Sequence, residues 1–338
     1  MLSRVAESLY WMARYIERAE AVSRLVAVHF QSLLDGGGRA GWDGVVRITA
    51  DEALFRRLNP EGDERAVLDF LLSHPDNPSG VFACLLRARE NARGVRDQIS
   101  SEMWEHLNRL YFLVRDDSGT GLAQGPYAFF RQVREGSQAF EGIVAATMTH
   151  GEAYEFIQLG RYLERATTTV RILSVRHAEV SGLAEGSVAA SLELMSLLKS
   201  CSSLEPFRRH HGSRLQAGPV AEYLLLNPQF PRAVLFCLDR SARAVAAVAP
   251  PARSGNRLDS PGRLLGRLKA QLAYLDVEEV LGDDLASFLD GLLKRIHQVA
   301  DEITPTYFNT RVILPATKAG GAPAQQQQQQ QQQLTRRP

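Results

Sequence analysis

The sequence predicts an all-α protein, a multi-helix bundle with no substantial β-sheet. Three observations carry this. Apolar residues recur at steps of three and four over long stretches, the spacing of one helix face. No stretch alternates apolar and polar β-branched residues long enough to make a strand. One charged turn, RYIERAE at 14–20, returns as RYLERAT at 161–167, each time inside an apolar helical pattern. A composition 45% hydrophobic and 23% charged gives a chain of 338 residues enough apolar matter for a large core.

The first helix is the clearest. Val5, Leu9, Met12, Ile16, Ala19, Val26 and Phe30 form one stripe, with Ser23 in its single gap, and Trp11, Tyr15, Val22 and Leu25 form a second beside it. Two stripes bury about half the helix circumference or more. The helix is expected to end at Asp35, before the loop GGGRAG at 36–41. A small polar stretch follows, broken by NPEGDE at 59–64 and HPDNPSG at 74–80. Ser79 is positioned to cap a long helix beginning VFACLLRARENARGVRDQ. SEMWEHLNRLYFLVRD at 101–116, preceded by Ser100, reads as another helix or a continuation of that one, and DDSGTGLAQGP at 116–126 as a loop. PYAFFRQVREGSQAFEGIVAATM is helical despite Gly136 and Gly142, and a fifth long helix spans about 151–177.

SGLAEGS at 181–187 is small, polar and glycine-bearing, the best boundary in the chain. Shorter helical patterns follow at 188–201, 219–226, 232–247, 260–275 and 283–302, with PPARSGNRLDSPG at 250–262 as a loop. The expected organisation is one helical domain over 1–316, with room for sub-lobes 1–180 and 188–316. The tail 317–338 carries nine consecutive glutamines, which cannot bury a core, and is expected to be disordered.

With residue 14 set against 161, seven of fifteen positions agree: Arg, Tyr, Glu, Arg, Ala, Arg and Val. Residues three and four apart share a helix face, so Arg14, Glu17 and Arg18 cluster, as do Arg161, Glu164 and Arg165. Arg18 and Arg165 also fall within apolar stripes. An unpaired buried ion costs several kcal/mol or more, on the order found for isolated charges in proteins, so each arginine demands an acidic partner. One arrangement is a reciprocal knot, Glu17 to Arg165 and Glu164 to Arg18. The other is a polar cavity in which the arginines bind a carboxylate or phosphate and Glu17 or Glu164 serves proton transfer. Arg89, Arg93 and Arg96, with Ser100, fall at helical steps on one face and read either as a solvated surface or as a basic face for an anionic ligand or partner.

Other chemistry is poorly represented. There is no GxxxxGK[ST], GxSxG or HExxH, and no ExxH pair of the kind that builds di-metal bundles. No metal and no cofactor are expected. His210 and His211, in RRHHGSR, read as part of a basic loop, and the acids of HGEAYE as a helix start. Cys84, Cys201 and Cys237 are odd in number and scattered; Cys84 and Cys237 lie in apolar patterns and read as core thiols in a reducing compartment. The first twenty residues hold charges throughout and no apolar segment of the signal-peptide kind, and no run reaches the roughly 18 apolar residues of a membrane span. A net charge of +1 offers no support for nucleic-acid binding or an anionic membrane. The expectation is a soluble cytoplasmic protein.

Four segments, LSRVAESLYWMARYIERAE, RARENARGVRDQISSEMWEHLN, LGRYLERA and VAEYLLLNPQFPRAVLFCL, in this order resemble the alpha-E domain family, all-helical proteins named for an ER motif. The resemblance covers about residues 1–310. It implies that Glu17, Arg18, Glu164 and Arg165 are the ER residues. It also implies a context: family members are typically encoded beside, or fused to, a circularly permuted ATP-grasp protein, often with a transglutaminase-like protease nearby. ATP-grasp enzymes join a carboxylate to an amine through an acyl phosphate. The role this implies is a helical accessory or binding subunit of a peptide-bond-forming or peptide-modifying system. An enzyme acting on a peptide or amino-acid derivative through the Glu/Arg cluster, and a purely structural scaffold, are the alternatives.

Overall fold

A computed structural model describes residues 1–34, 41–49, 52–60, 62–248, 260–275 and 285–308. Most of the GGGRAG and 250–262 segments and the polyglutamine tail lie outside them. Among the described residues there are fourteen α-helices and no strand.

Two long helices organise the rest. α1 (Ser3–Leu34) and α8 (Glu152–Ser181) carry the two ER turns and pack on one another. α5 (Val81–Arg93) and α7 (Pro126–Thr147) cover other sides of α1, and α6 (Ser101–Gln124) lies against both. α12 (Val234–Ala247) and α14 (Leu285–Ile303) pack on α8, with α13 (Pro261–Ala273) behind them. The turn at 181–187 leads into α9 (Val188–Ser200), which touches both long helices. Buried side chains from Ala6 to Phe308 form one contiguous core. A π-turn at Thr304–Phe308 places Phe308 against Tyr10 and Phe156, with ring centroids 5.4 and 6.1 Å away, so it seals one end of the α1–α8 contact.

Both stripes of α1 are inward. Leu9, Met12, Ala19, Val22, Leu25 and Val26 are buried, and Trp11 and Tyr15 are half-buried against the core. The long helices therefore follow the periodicity. Five expectations are corrected. The segment 116–126 is not a loop: α6 continues to Gln124, and the connection to α7 is Gly125 alone, with Pro126 as the first residue of α7. Packing overrides the low helix propensity there. A Cβ on Gly121 would sit 2.3 Å from the Phe129 ring, so the glycine that looks like a breaker is what lets α7 lie close.

α5 is shorter than expected. It stops at Arg93, and residues 94–99 are turns, with Ser100 capping α6 through the Met103 amide at 3.1 Å. Ser79 is not the cap of α5; Gly80 holds that position, and the Ser79 amide donates to Asn77 Oδ1. The polar stretch 41–80 holds three short helices, α2 (Asp43–Thr49), α3 (Glu52–Leu58) and α4 (Glu64–Leu72), too short for periodicity to reveal. His210 and His211 end another short helix, α10 (Leu204–His211), rather than lying in a loop. α11 (Ala217–Leu226) follows it.

The two long helices approach closely at Gly160, just before the second ER turn. A Cβ there would lie 2.3 Å from the Tyr10 carbonyl oxygen, which is backbone and cannot rotate away. Gly160→Ala therefore forces α1 and α8 apart and should cost about 1–3 kcal/mol, the range for overpacking. Gly142, on the exposed face of α7, has nothing within 4 Å of such a Cβ. Gly142→Ala should stabilise by about 0.5–1 kcal/mol through helix propensity. Denaturant midpoints of the two variants check this; equal midpoints would refute the close approach.

Candidate functional site

The ER turns meet. Arg18 on α1 donates to Glu164 on α8, Nε to Oε1 at 2.6 Å and Nη2 to Oε2 at 3.1 Å. Arg165 on α8 donates to Glu17 on α1, Nε to Oε1 and Nη2 to Oε2, both at 2.7 Å. Each helix thus presents an arginine fork to the other helix's carboxylate. The local relations repeat as well. Arg18 lies over the Tyr15 ring at 6.0 Å, and Arg165 over Tyr162 at 5.6 Å, each tyrosine three residues earlier.

Each carboxylate takes a second guanidinium. Arg14 Nε donates to Glu164 Oε2 at 2.8 Å and its Nη1 to the Tyr10 hydroxyl at 3.1 Å. Arg161, the counterpart of Arg14, does not go to Glu17. It reaches Glu141 on α7 at 3.3 Å, Gln158, and the Tyr162 hydroxyl at 2.8 Å. The second arginine on Glu17 is Arg232, at 3.0 Å. Arg232 comes from the turn NPQFPR before α12. That turn is shaped by Asn227, whose Oδ1 accepts from the Gln229 and Phe230 amides, and is tied to α8 where Thr169 donates to the Arg232 carbonyl.

From there the network runs inward. Arg232 also reaches Glu20 at 3.1 Å, and Gln138 of α7 donates to Glu20 at 3.0 Å. Glu20 receives Arg24 Nη1 on both oxygens, at 2.5 and 2.6 Å, and Arg24 Nε closes the chain on the Ser200 carbonyl at 2.7 Å. Glu17, Glu20, Glu164, Arg24 and Arg165 are all buried.

Burial alone would raise the Glu17 and Glu164 carboxyls. The paired arginines outweigh it: Arg165 and Arg232 hold Glu17 far below the ordinary range, and Arg18 and Arg14 lower Glu164 to about 2. Glu141 behaves differently. Its carboxylate accepts from Arg165 at 2.5 Å and from Arg161, yet burial, together with the charge of neighbouring Glu17, raises it to about 6. Two carboxylates around one guanidinium share the cost of ionisation unequally: Glu17 holds the Arg165 fork and Arg232 as well, so Glu141 is the one that keeps its proton longer. Glu17, Glu141 and Arg161 line a narrow cleft with apolar walls from Ile16, Phe140 and Ile157, about 20 Å³, room for about one water.

The structure therefore brings together Arg14, Glu17, Arg18, Arg161, Glu164 and Arg165. It does not bring Arg89, Arg93 and Arg96 to them. α5 ends before Arg96, so the three do not share one helical face. Arg89 bonds Asn108 at 2.7 Å and stacks over Trp104 and Tyr111, Arg96 stacks over Trp104 at 4.9 Å, and Arg93 is exposed beside Glu90. Glu141, Arg232, Glu20 and Arg24 belong to the network but were not singled out from the sequence. Arg232 lies in one of the four segments that carried the family resemblance, its only visible signal. Among the described residues no group of His, Cys, Asp and Glu could hold a metal ion. Burial pushes the thiols of Cys84 and Cys237 up to about 12 and that of Cys201 to about 11.

This is an all-helical protein whose repeated turn exchanges buried charges between two long helices. Residues 1–308 match the Alpha-E family, described as a predicted alpha-helical domain with a conserved ER motif, and the chain belongs to it. It is similar to an uncharacterised protein of Mycobacterium bovis, 25% identical over 339 residues, covering 92% of this chain and 37% of that one. An uncharacterised protein of Mycobacterium tuberculosis is 24% identical over the same length, with the same coverage. The chain thus spans little more than a third of the length of these relatives. No solved structure matches it. No helix among the described residues is long and apolar enough to cross a membrane.

Removing one carboxylate from the knot leaves two arginines buried without their counter-charge. Glu164→Gln and Glu17→Gln should each cost about 3–5 kcal/mol. The pH dependence follows. The folded Glu164 carboxyl titrates at about 2 against an ordinary 4.5, so its contribution is present above 4.5 and is lost as pH falls towards 2. Denaturation followed by circular dichroism between pH 7 and 2.5, a range set around that window, should show this slope in the wild type and a reduced slope in Glu164→Gln. Equal slopes would contradict the pairing.

Proposed function

We propose that this chain is a helical accessory or binding subunit of an ATP-grasp-linked system that forms or modifies peptide bonds, with an ATP-grasp ligase-like protein as its main partner and a transglutaminase-like protein as a further one. The observation that carries the reading is the saturation of the ER turns. Each ER carboxylate receives two guanidiniums, and each ER arginine is spent on the opposite helix. Glu17 and Glu164 each accept three guanidinium hydrogen bonds and are held ionised, which leaves them poor general acids or bases. The turns then act as a fastening, and function passes to surfaces the fastening holds in place. The length of the relatives supports this, since most of each relative lies beyond the matched region. The surface of α5 and α6 suits docking: Arg89, Arg96 and Arg115 stack over Trp104, Tyr111 and Phe112, the residue types that dominate binding hot spots.

Affinity purification of the full chain from its native cell, with mass spectrometry of what elutes, tests the reading. An ATP-grasp protein in near-equal amount is the expected result, reduced by about tenfold or more in a Arg89→Glu, Arg96→Glu double variant. Repeated recovery of the chain alone under gentle conditions would overturn it.

One observation favours a second reading, an enzyme acting on a peptide or amino-acid derivative. Glu141 sits in the cleft beside Glu17 and titrates near 6, where a carboxylate can both take and return a proton. On that reading Glu141→Gln keeps the folded stability and abolishes turnover in the reconstituted system, and the wild-type rate falls as pH drops through about 6. Undiminished turnover in Glu141→Gln would exclude it.

A further inference from the structure

The internal duplication sets Arg24 of α1 against Arg171 of α8, each seven residues beyond its ER glutamate. The two arginines meet different fates. Arg24 has Glu20 four residues before it and takes both of its oxygens. The position matching Glu20 is Thr167, whose hydroxyl is spent on the Leu163 carbonyl. Arg171 consequently has no hydrogen bond or ion pair among the described residues. Glu164, two turns back on the same face of α8, already receives Arg14 and Arg18.

Arg171 lines a cavity between α2, α8, α14 and the turn before α5, about 890 Å³ with its open mouth included. Its polar neighbours are Arg47, Thr49, Ser79 and Ser174, and Leu293 forms an apolar wall. None of these is a carboxylate. Arg47 is paired with Glu179 at 3.2 Å, and Glu179 also holds Arg176. Among the described residues the charge of the ER network is unbalanced: Glu17, Glu20, Glu141 and Glu164 face Arg14, Arg18, Arg24, Arg161, Arg165 and Arg232 before Arg171 is added. The excess is felt on α14, where burial and then the fields of Arg171 and Arg14 push His297 below its ordinary value.

We propose that this cavity is an anion site, in which Arg171 binds the carboxylate or phosphate group of a small molecule that takes the place Glu20 holds for Arg24. The Thr49 hydroxyl is spent on the Val45 carbonyl, but a planar guanidinium with its fork free beside the Ser79 and Ser174 hydroxyls suits an oxyanion of that kind. The bound group offsets the surplus positive charge, so the site also couples ligand to the stability of the ER crossing.

The test uses the full chain in a low-salt, phosphate-free buffer. Inorganic phosphate, acetate or chloride is added at matched ionic strength, and the thermal midpoint and binding heat are recorded. Phosphate or acetate should raise the midpoint beyond chloride, the stronger of the two identifying the ligand group. Arg171→Gln should abolish that rise and, lacking an unpaired half-buried charge, should melt no lower than wild type in the anion-free buffer. Arg171→Lys, which keeps the charge but not the fork, should weaken the response about tenfold and carries the test if Arg171→Gln does not fold. Arg93→Gln, on the exposed α5 surface, should respond as wild type. No rise above the chloride control, or a rise that persists in the Arg171 variants, would overturn the proposal.

Discussion

The exchange of carboxylates between α1 and α8 is the interaction on which the rest of the molecule depends. Taking four charges out of water is expensive, and apolar side chains of equal volume would stabilise the crossing at least as well. What the ion pairs add is discrimination. Arg18 reaches Glu164 and Arg165 reaches Glu17 only when the two helices cross in one register. A slip of one turn would leave both pairs buried and broken. Gly160 makes the register reachable, because its missing side chain lets α8 touch the Tyr10 carbonyl just beside the exchange. Other elements are then recruited by the same charges. α7 sends Gln138 and Glu141, and the turn before α12 sends Arg232 to bridge Glu17 and Glu20. The early and late parts of the chain are joined through this bridge as well as through apolar contact.

The repeat is an approximate symmetry, and its departures are as informative as its agreements. Tyr15 and Tyr162, Arg18 and Arg165, and Glu17 and Glu164 keep the same relations. Arg14 and Arg161 diverge: the first completes Glu164, the second turns to Glu141 and leaves Glu17 to Arg232. Glu20 and Thr167 diverge further, closing the network at Arg24 and Ser200 on one side and leaving Arg171 facing a cavity on the other. A duplicated helix that kept its fastening and changed its flanks has one half for structure and one half free to differ.

Most of the fold was legible because long amphipathic helices announce themselves. α1 shows two apolar stripes, and both are inward. The reciprocal pairing was legible for a related reason: an arginine inside an apolar stripe must find a carboxylate, and the duplicate offered one. The limits are equally physical. Glu141 and Arg232 contribute from elements far off in sequence, and nothing at 141 or 232 states that the chain returns there to α1. The run DDSGTGLAQ has the composition of a loop, but Gly121 under the Phe129 ring shows packing deciding against propensity. Arg89, Arg93 and Arg96 share a face only if the helix continues, and it stops at Gly94. Periodicity extrapolated past a break places side chains on faces that do not exist.

A sequence signature and a functional site need not coincide, and here the chemistry separates them. A carboxylate with two guanidiniums on it is a poor base, since protonating it strands both cations in a dry interior. Glu17 and Glu164 are in that position. Residues of this kind can recur in a family because the fold fails without them, whatever the individual members do. Groups that border the network without being saturated by it keep their chemistry available. Glu141 is one, sharing Arg165 with Glu17 while keeping access to a cleft. Arg171 is the other, carrying the charge that the duplication left without a counterpart. Both sit on elements fixed by the exchange, so the same ion pairs that are closed to chemistry set the positions of the groups still open to it.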